Sequence, residues 1–543
     1  MITTAACCQS GPEMNQTTMT RQTASMAKSI SVLSVTGIIC KFVGVLYSIP
    51  LARILGDKGL GLFQTVFPTY NLLLTLSSAG LPVAVSRMVA HFLAREEPAN
   101  ARKVFSVAAK ILFGIGFLFS FLMIISNGLL VRIVGVEEAS KGFYVIAPCV
   151  MIVCVLSAFR GYVQGHQNMI PTAISQLIEQ VGKVAVSLPL AAAGMKKSMA
   201  EGAAGALLGI TIVEVLALAY MVLYSYIRGK KSGTAAGKAD ATAKFLSKRL
   251  IGIAVPITIS ACIIPLAQFI DSALMVNRMV GAGLTTDDAT SLYGIFSGMV
   301  IRLINIPTAL ALAISMSLVP AISYAKSLND KKGITQRADT GIRYASLIGF
   351  PCAIGMSVLA KPILAFFYVD VLTPERLQTA AELLTVSALT VFLFTQVQAT
   401  SSILQGLHHQ KIPMYTMIAG VLCKIVLNYV LIGTPGIYIH GGPVASIVCY
   451  SAAMIPNLYF CCKYGELKFN WKDWILRPGF AAACMAGAAL LLKTVLPEGR
   501  LVTILEIVCG AAVYFAVGWI VKAYTAEDLP EKLRRLLRKD PAR

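Results

Sequence analysis

The chain has 543 residues, 56% of them hydrophobic and only 13% charged, with a mean hydropathy of +0.72, which excludes an ordinary soluble globular protein. The formal net charge of +21 would suggest nucleic acid as the partner of a soluble chain. Here the basic residues fall in short loops between apolar runs, so membrane orientation accounts for them and no nucleic acid is expected. The 13 cysteines lie singly or as neighbours, mostly within apolar runs, and show neither metal spacing nor a disulfide framework.

The first residues, 1–27, are polar and lack the apolar core of a secretory signal, so they read as a cytoplasmic tail. About fourteen apolar runs of roughly 20 residues follow, each long enough to cross about 30 Å of hydrocarbon as a helix. They fall near 30–50, 61–85, 104–126, 142–162, 170–193 and 203–227, then near 250–276, 291–318, 342–367, 380–404, 412–433, 439–461, 476–495 and 501–523. The expected fold is therefore an all-α integral membrane bundle. Most loop lysines and arginines lie on the side that holds both termini, which places the termini in the cytoplasm of a multi-pass cell-membrane protein. The stretch "EKLRRLLRK" from Glu531 is basic and amphipathic, as suits a tail near anionic headgroups.

The longest polar interruption, "RGKKSGTAAGKADATAKFLSKR" from Arg228, reads as a linker between two related halves. "YVQGHQNMIPTAISQLIEQVGK" from Tyr162 and "ILQGLHHQKIPMYTMIAGVLCK" from Ile403 both run QG, a proline-started helix, then lysine at the same interval, so Lys183 corresponds to Lys424 and Glu179 to Gly420. A second echo sets "GLFQTVFPTYNLLLTLSS" from Gly61 beside "GIFSGMVIRLINIPTALA" from Gly294. Parallel repeats need an even number of crossings per half, so the division is a six-helix lobe over 28–238, a second over 239–465, two additional helices over 466–523 and a basic cytoplasmic tail over 524–543.

Charges inside the spans are costly, usually face a bundle interior or an aqueous cavity, and are read as functional by default. Thr172, Gln176, Glu179 and Lys183 share one helical face, either as a polar stripe facing a cavity or with Glu179 and Lys183 paired four residues apart. Arg302, Asn305 and Pro307 cluster in one span, where a guanidinium suits a phosphate or carboxylate in forked geometry or bonds between helices. Asp271 is an ion site or the partner of a basic residue, and Glu214 is a lone carboxylate in "ITIVEVLALAY". Glu179, Glu214 and Asp271 are thus the ion-coupling candidates. Walker, dinucleotide and zinc motifs are missing, the five histidines do not cluster, and neither metal nor cofactor is expected beyond a coupling ion. "GDKGLG" from Gly56 reads as a tight interhelical turn.

The segments "LARILGDKGLGLFQ", "SSAGLPVAVSRMVA", "RGYVQGHQNMIPTAISQLIEQ" and "ALAISMSLVPAIS", in this order, resemble the multidrug, oligosaccharidyl-lipid and polysaccharide exporter superfamily, in its stage V sporulation protein B and polysaccharide-biosynthesis branch. The resemblance implies two six-helix lobes around a central cavity, two further helices, and alternating access that moves lipid-linked saccharides across the cytoplasmic membrane. It also implies that Lys41 and Arg302 stand where related lipid II flippases have cavity arginines. Tyr47, Leu74 and Asn305 depart from charged positions of those flippases, which weakens lipid II itself as substrate and leaves the wider class. Lys41, Lys183, Arg302, Lys424 and Asn305 are then the cavity candidates for a saccharide diphosphate, a cell-wall or spore-cortex precursor. Membrane lipids and envelope-synthesis enzymes are the other expected partners, and the chain is expected to act as a monomer. The competing readings are a drug/cation antiporter of the same superfamily, which would want acidic and aromatic groups in its cavity, and a non-transporting scaffold; an enzyme would need larger external loops.

Overall fold

The computed structural model describes residues 16–231, 240–497 and 499–524; the side chain of Lys41 and the basic tail from Glu531 lie outside the described residues. Helix makes up 89% of the structure, there is no strand among the described residues, and thirteen helical stretches are long and apolar enough to cross a membrane. The fourteenth expected crossing, 30–50, falls partly on residues whose side chains are not described.

The first half comprises α1 (Gln16–Ser78), α2 (Leu81–Ala94), α3 (Pro98–Ile125), α4 (Asn127–Val134), α5 (Ser140–Gly165), α6 (Ile170–Gly182), α7 (Leu188–Met195) and α8 (Met199–Lys231). The second comprises α9 (Ala243–Ala261), α10 (Ile263–Gly281), α11 (Thr286–Tyr293), α12 (Ile301–Ser327), α13 (Lys331–Val358), α14 (Ala360–Tyr368), α15 (Pro374–Ser387), α16 (Leu389–Gly406), α17 (Lys411–Ile432) and α18 (Gly441–Gly465). The last two helices are α19 (Arg477–Val495) and α20 (Arg500–Ile520).

Three expectations need correction. The runs at 30–50 and 61–85 are joined in α1, and α1 starts inside the stretch read as a tail. A straight helix of its 63 residues would be about 95 Å long, far more than the bilayer. It is two arms joined at Gly56, whose φ of 68° and ψ of −171° suit a residue without a side chain. The run at 250–276 is broken at Cys262 into α9 and α10. Finally, π-helical turns at Lys183–Ser187 and Gly294–Val300 link α6 to α7 and α11 to α12, so an unbroken 3.6-residue period does not hold there.

Packing follows membrane rules. On α3 the small or slender Ala108, Gly116 and Ser120 face inward, while Phe113, Phe117 and Phe121 form an exposed stripe toward lipid. The halves meet most closely where α1 crosses the start of the second half. A Cβ on Gly61 would stand 2.1 Å from the Thr290 carbonyl oxygen, and a Cβ on Gly294 would stand 2.1 Å from that of Asp57. Thr290 and Asp57 each precede the partner glycine by four residues, so the contact is reciprocal, as between related halves. Farther along, Gly80 approaches the Ala254 carbonyl equally closely and its backbone N–H donates to Thr258 Oγ1 at 3.1 Å.

Gly294→Ala should lower stability by about 1–3 kcal/mol through overpacking, whereas Gly487→Ala, with nothing within 4 Å of its new methyl, should be neutral or stabilising. Thermal melts of the detergent-solubilised full chain, followed by tryptophan fluorescence, compare the two.

Candidate functional site

Between those two crossings lies a cavity of about 330 Å³, lined from the first half by Gln64, Phe67, Pro68 and Asn71 of α1 and otherwise by the second half. It is lopsided, not shared evenly between halves. Arg302, Asn305, Asp271 and Lys424 all reach its wall, so four of the predicted residues are brought together. Lys183, Glu179 and Glu214 are not on it.

Arg302 is placed by α12 immediately after the π-helical turn. It donates to Gln64 Oε1 at 3.5 Å, lies within electrostatic reach of Tyr47, Tyr293 and Tyr368, and makes no ion pair among the described residues. Its guanidinium retains donors for an anion in the cavity. Asn305, one turn further along α12, is exposed to the same space. Asp271 of α10 and Lys424 of α17 are paired at 2.5 Å, and Asn428 Nδ2 donates to the other Asp271 oxygen at 2.8 Å. In this structure Asp271 is the partner of a base, and the pair neutralises the lysine that corresponds to Lys183 in the repeat.

The remaining predicted charges form a separate cluster in the first half. The pairing of Glu179 with Lys183 within one helix is not made. Arg160 of α5 takes Glu179 instead, with its Nε donating to Ser175 Oγ at 2.9 Å. Helical spacing favoured the lysine, but after Glu179 the helix turns into the π-helical segment at Lys183, while α5 brings Arg160 across from a different helix. Glu214 of α8 is buried at 4% exposure beside this pair.

A third set of charges lies around the glycine crossing, off the cavity wall. Arg376 of α15 reaches Asp57 at 2.6 Å and Asp288 at 3.0 Å, while Lys58 reaches Asp287 at 2.9 Å and Glu138 at 3.0 Å. The Arg53 Nε also donates to the Phe367 carbonyl at 2.8 Å. Acids and bases of the two halves thus interlock at the end that carries Gly56.

An apolar groove of about 960 Å³ runs between α12, α13, α19 and α20. Leu303, Ile306, Pro307 and Leu310 of α12 face it, while Arg302, Asn305 and Thr308 of the same helix face the polar cavity. One helix therefore separates a cationic chamber from a lipid-like one.

Sequence reading missed Gln64, Tyr293 and Asn428, and it missed the ion pairs of Arg376 with Asp57 and Asp288. Asn428 was findable, since it stands four residues after Lys424 on one helical face. Asp57 and Arg376 are 319 residues apart, and loop charges carry no signal of their partner.

The bundle has the fold of transporters of the MOP superfamily. The chain belongs to the Polysaccharide biosynthesis protein family, whose profile matches residues 26–326, and the MatE profile matches 256–430. It is 26% identical over 528 residues to the stage V sporulation protein B of Bacillus subtilis (strain 168), covering 97% of this chain and 98% of that one. Identity to the lipid II flippase MurJ of the same organism is 25%, over 91% and 95% of the two chains. Among solved structures, a lipid II flippase MurJ in an inward closed conformation superposes with a TM-score of 0.69 at 15% identity, covering 93% of this chain and 99% of that one. An inward-facing multidrug resistance MATE transporter superposes with a TM-score of 0.63 at 14% identity, covering 81% and 98%.

Two outcomes test the charge geometry. Lys424→Met should cost about 3–5 kcal/mol by stranding Asp271, and adding Asp271→Asn should restore much of it, read from melts of the single and double variants. Arg376→Ala should speed hydrogen exchange about threefold to tenfold in residues 57–66 and 286–297, with little change in 477–520, by mass spectrometry of the intact protein.

Proposed function

We propose that the protein moves polyprenyl-pyrophosphate-linked saccharides across the cytoplasmic membrane by alternating access, with both termini in the cytoplasm and the Arg376 gate on the outer side. The observation that carries this reading is the division of labour across α12: an arginine without a carboxylate partner among the described residues on the cavity side, and an apolar groove on the other. A diphosphate calls for charge-assisted donors, which Arg302 offers, and saccharide hydroxyls call for amides and hydroxyls, which Gln64, Asn71, Asn305 and Thr308 offer. A polyprenyl tail calls for a hydrocarbon surface continuous with lipid, which the groove offers. Among the described residues Arg302, not Lys183 or Lys424, is the cation available in the cavity, because Lys183 is absent from its wall and Lys424 is paired.

The cavity sits at the low end of the roughly 300–1,000 Å³ typical of ligand pockets, and the outer-side ion pairs are made. Loading a saccharide requires the halves to part at the other end, and release requires the gate to break. Relatives named for sporulation and for lipid II flipping favour a cell-wall or spore-cortex precursor as the cargo. A cationic drug fits less well, since the carboxylate on the cavity wall is already neutralised by Lys424.

In liposomes containing fluorescent polyprenyl-pyrophosphate saccharides, the full chain should move label between leaflets. Arg302→Ala should slow this about tenfold to a hundredfold, the loss expected for one or two charge-assisted contacts. Export of cationic dyes without movement of the saccharide lipid would overturn the reading.

A further inference from the structure

A second polar recess, of about 750 Å³, lies away from the transport cavity, between the first turns of α13 and the segment that joins α18 to α19. The chain crosses the bundle through α12 between Asp288 and Lys331, so the recess opens at the end opposite the Arg376 ion pairs. Four lysines, Lys331, Lys332, Lys468 and Lys472, line it against two carboxylates, Asp339 and Glu466. Both carboxylates are engaged: Glu466 pairs with Lys331 at 2.5 Å, and Asp339 Oδ1 accepts the Trp474 indole N–H at 2.8 Å. Lys332, Lys468 and Lys472 are exposed and make no ion pair among the described residues, so the opening keeps an excess of positive charge.

The wall is anchored. Trp474, 1% exposed, is sunk among Leu318, Ile322, Ile342 and Leu407, which fixes the linking segment onto the second half. Thr335 Oγ1 donates to the Gly465 carbonyl at 3.1 Å, and Phe469 meets the Trp474 ring edge-on at 5.3 Å. Phe469 and Trp471, between Lys468 and Lys472, nevertheless stay half exposed, as do Ile475 and Leu476 of the π-helical turn that follows. Lysines beside exposed aromatic rings, where two spans end, suit a membrane interface: the ammonium groups reach phosphates while the rings lie at headgroup depth. An acidic protein would meet the lysines and leave the rings and Ile475 and Leu476 without an apolar partner. The lipid-linked cargo is also a poor occupant. On α13 the recess takes Lys331, Lys332, Thr335 and Asp339, whereas the apolar groove takes Tyr344, Leu347, Pro351 and Gly355. At about 3.6 residues a turn these are near-opposite faces, so no continuous path along α13 joins headgroup recess and tail groove.

We propose that the recess binds the phosphate headgroup of an anionic phospholipid in the adjacent leaflet, with Lys332, Lys468 and Lys472 donating to the phosphate and Phe469 and Trp471 seated among the headgroups. The bound lipid holds the start of α19 against α13, and with it the last two helices against the second half. In the proposed orientation this leaflet is the cytoplasmic one; the binding itself does not depend on the flippase reading.

Hydrogen exchange of the full chain, read by mass spectrometry in phosphatidylcholine nanodiscs with increasing fractions of phosphatidylglycerol, tests the site. Exchange in residues 331–340 and 465–476 should slow about fivefold or more as phosphatidylglycerol is added, fivefold being the share of one lysine near an anionic surface. The triple variant Lys332→Gln, Lys468→Gln and Lys472→Gln should lose this response while melting at the temperature of the unaltered chain. Lys196→Gln with Lys197→Gln, two exposed lysines at the other end, should keep it. Equal slowing by inorganic phosphate, or slowing only when a polyprenyl pyrophosphate is added to phosphatidylcholine, assigns the recess to a free anion or to the cargo and overturns the phospholipid site. Slowing confined to native membrane vesicles, which points to a protein partner, overturns it as well, and so does an unchanged rate at every phosphatidylglycerol fraction. None of these readouts involves saccharide movement, so their failure leaves the transport reading standing.

Discussion

Everything in this bundle is arranged around the crossing of two helices at Gly61 and Gly294. Each glycine lies against the carbonyl four residues before the other, so no side chain fits between the backbones and the halves meet at one fixed register. Lipid supplies no hydrophobic force to hold helices together, and close backbone approach is how membrane helices gain packing energy. The crossing also places Gln64 next to the start of α12, where the Tyr293 hydroxyl donates to the Gln64 carbonyl and the Gln64 amide donates to that of Ser297. Arg302 follows one turn on. The cavity wall is thus an extension of the contact that joins the halves.

Around this crossing the ion pairs are partly solvated, and each contributes little on its own. Their importance is directional. Asp57 and Lys58 follow Gly56, so the residue that turns α1 also sets the charges that meet Arg376 and Asp287. Parting the halves there breaks several weak contacts together and frees groups that water can solvate, which suits a contact that must open and re-form.

Deep in the bundle the same charges are treated in three ways. Asp271 and Lys424 neutralise each other, Glu179 is held by Arg160 with Glu214 beside it, and among the described residues Arg302 meets tyrosines and an amide. Low dielectric makes these differences large. The second half, where Gly420 replaces the glutamate, uses the vacated space for a backbone contact instead: a Cβ there would lie 2.4 Å from the Cys449 carbonyl. Related halves have diverged, one toward close packing and one toward a buried glutamate held by an arginine.

Much of this was legible in the amino acids. Apolar runs of membrane length, the QG echo and the Gly61–Gly294 echo reveal a helical bundle of repeated parts, because a helix satisfies its own backbone and needs no distant partner to be recognised. The same local rule showed which charges were anomalous, since burial cost depends on the residue and its span. The identity of each charge's partner was settled only by the fold. Glu179 chose Arg160 over the lysine one turn away, Lys424 chose Asp271 from 153 residues away, and Lys183 fell outside the cavity that Arg302 entered. Partner choice depends on how helices rotate and cross, and a π-helical turn or a glycine contact changes that rotation without altering the pattern of hydrophobicity along the chain.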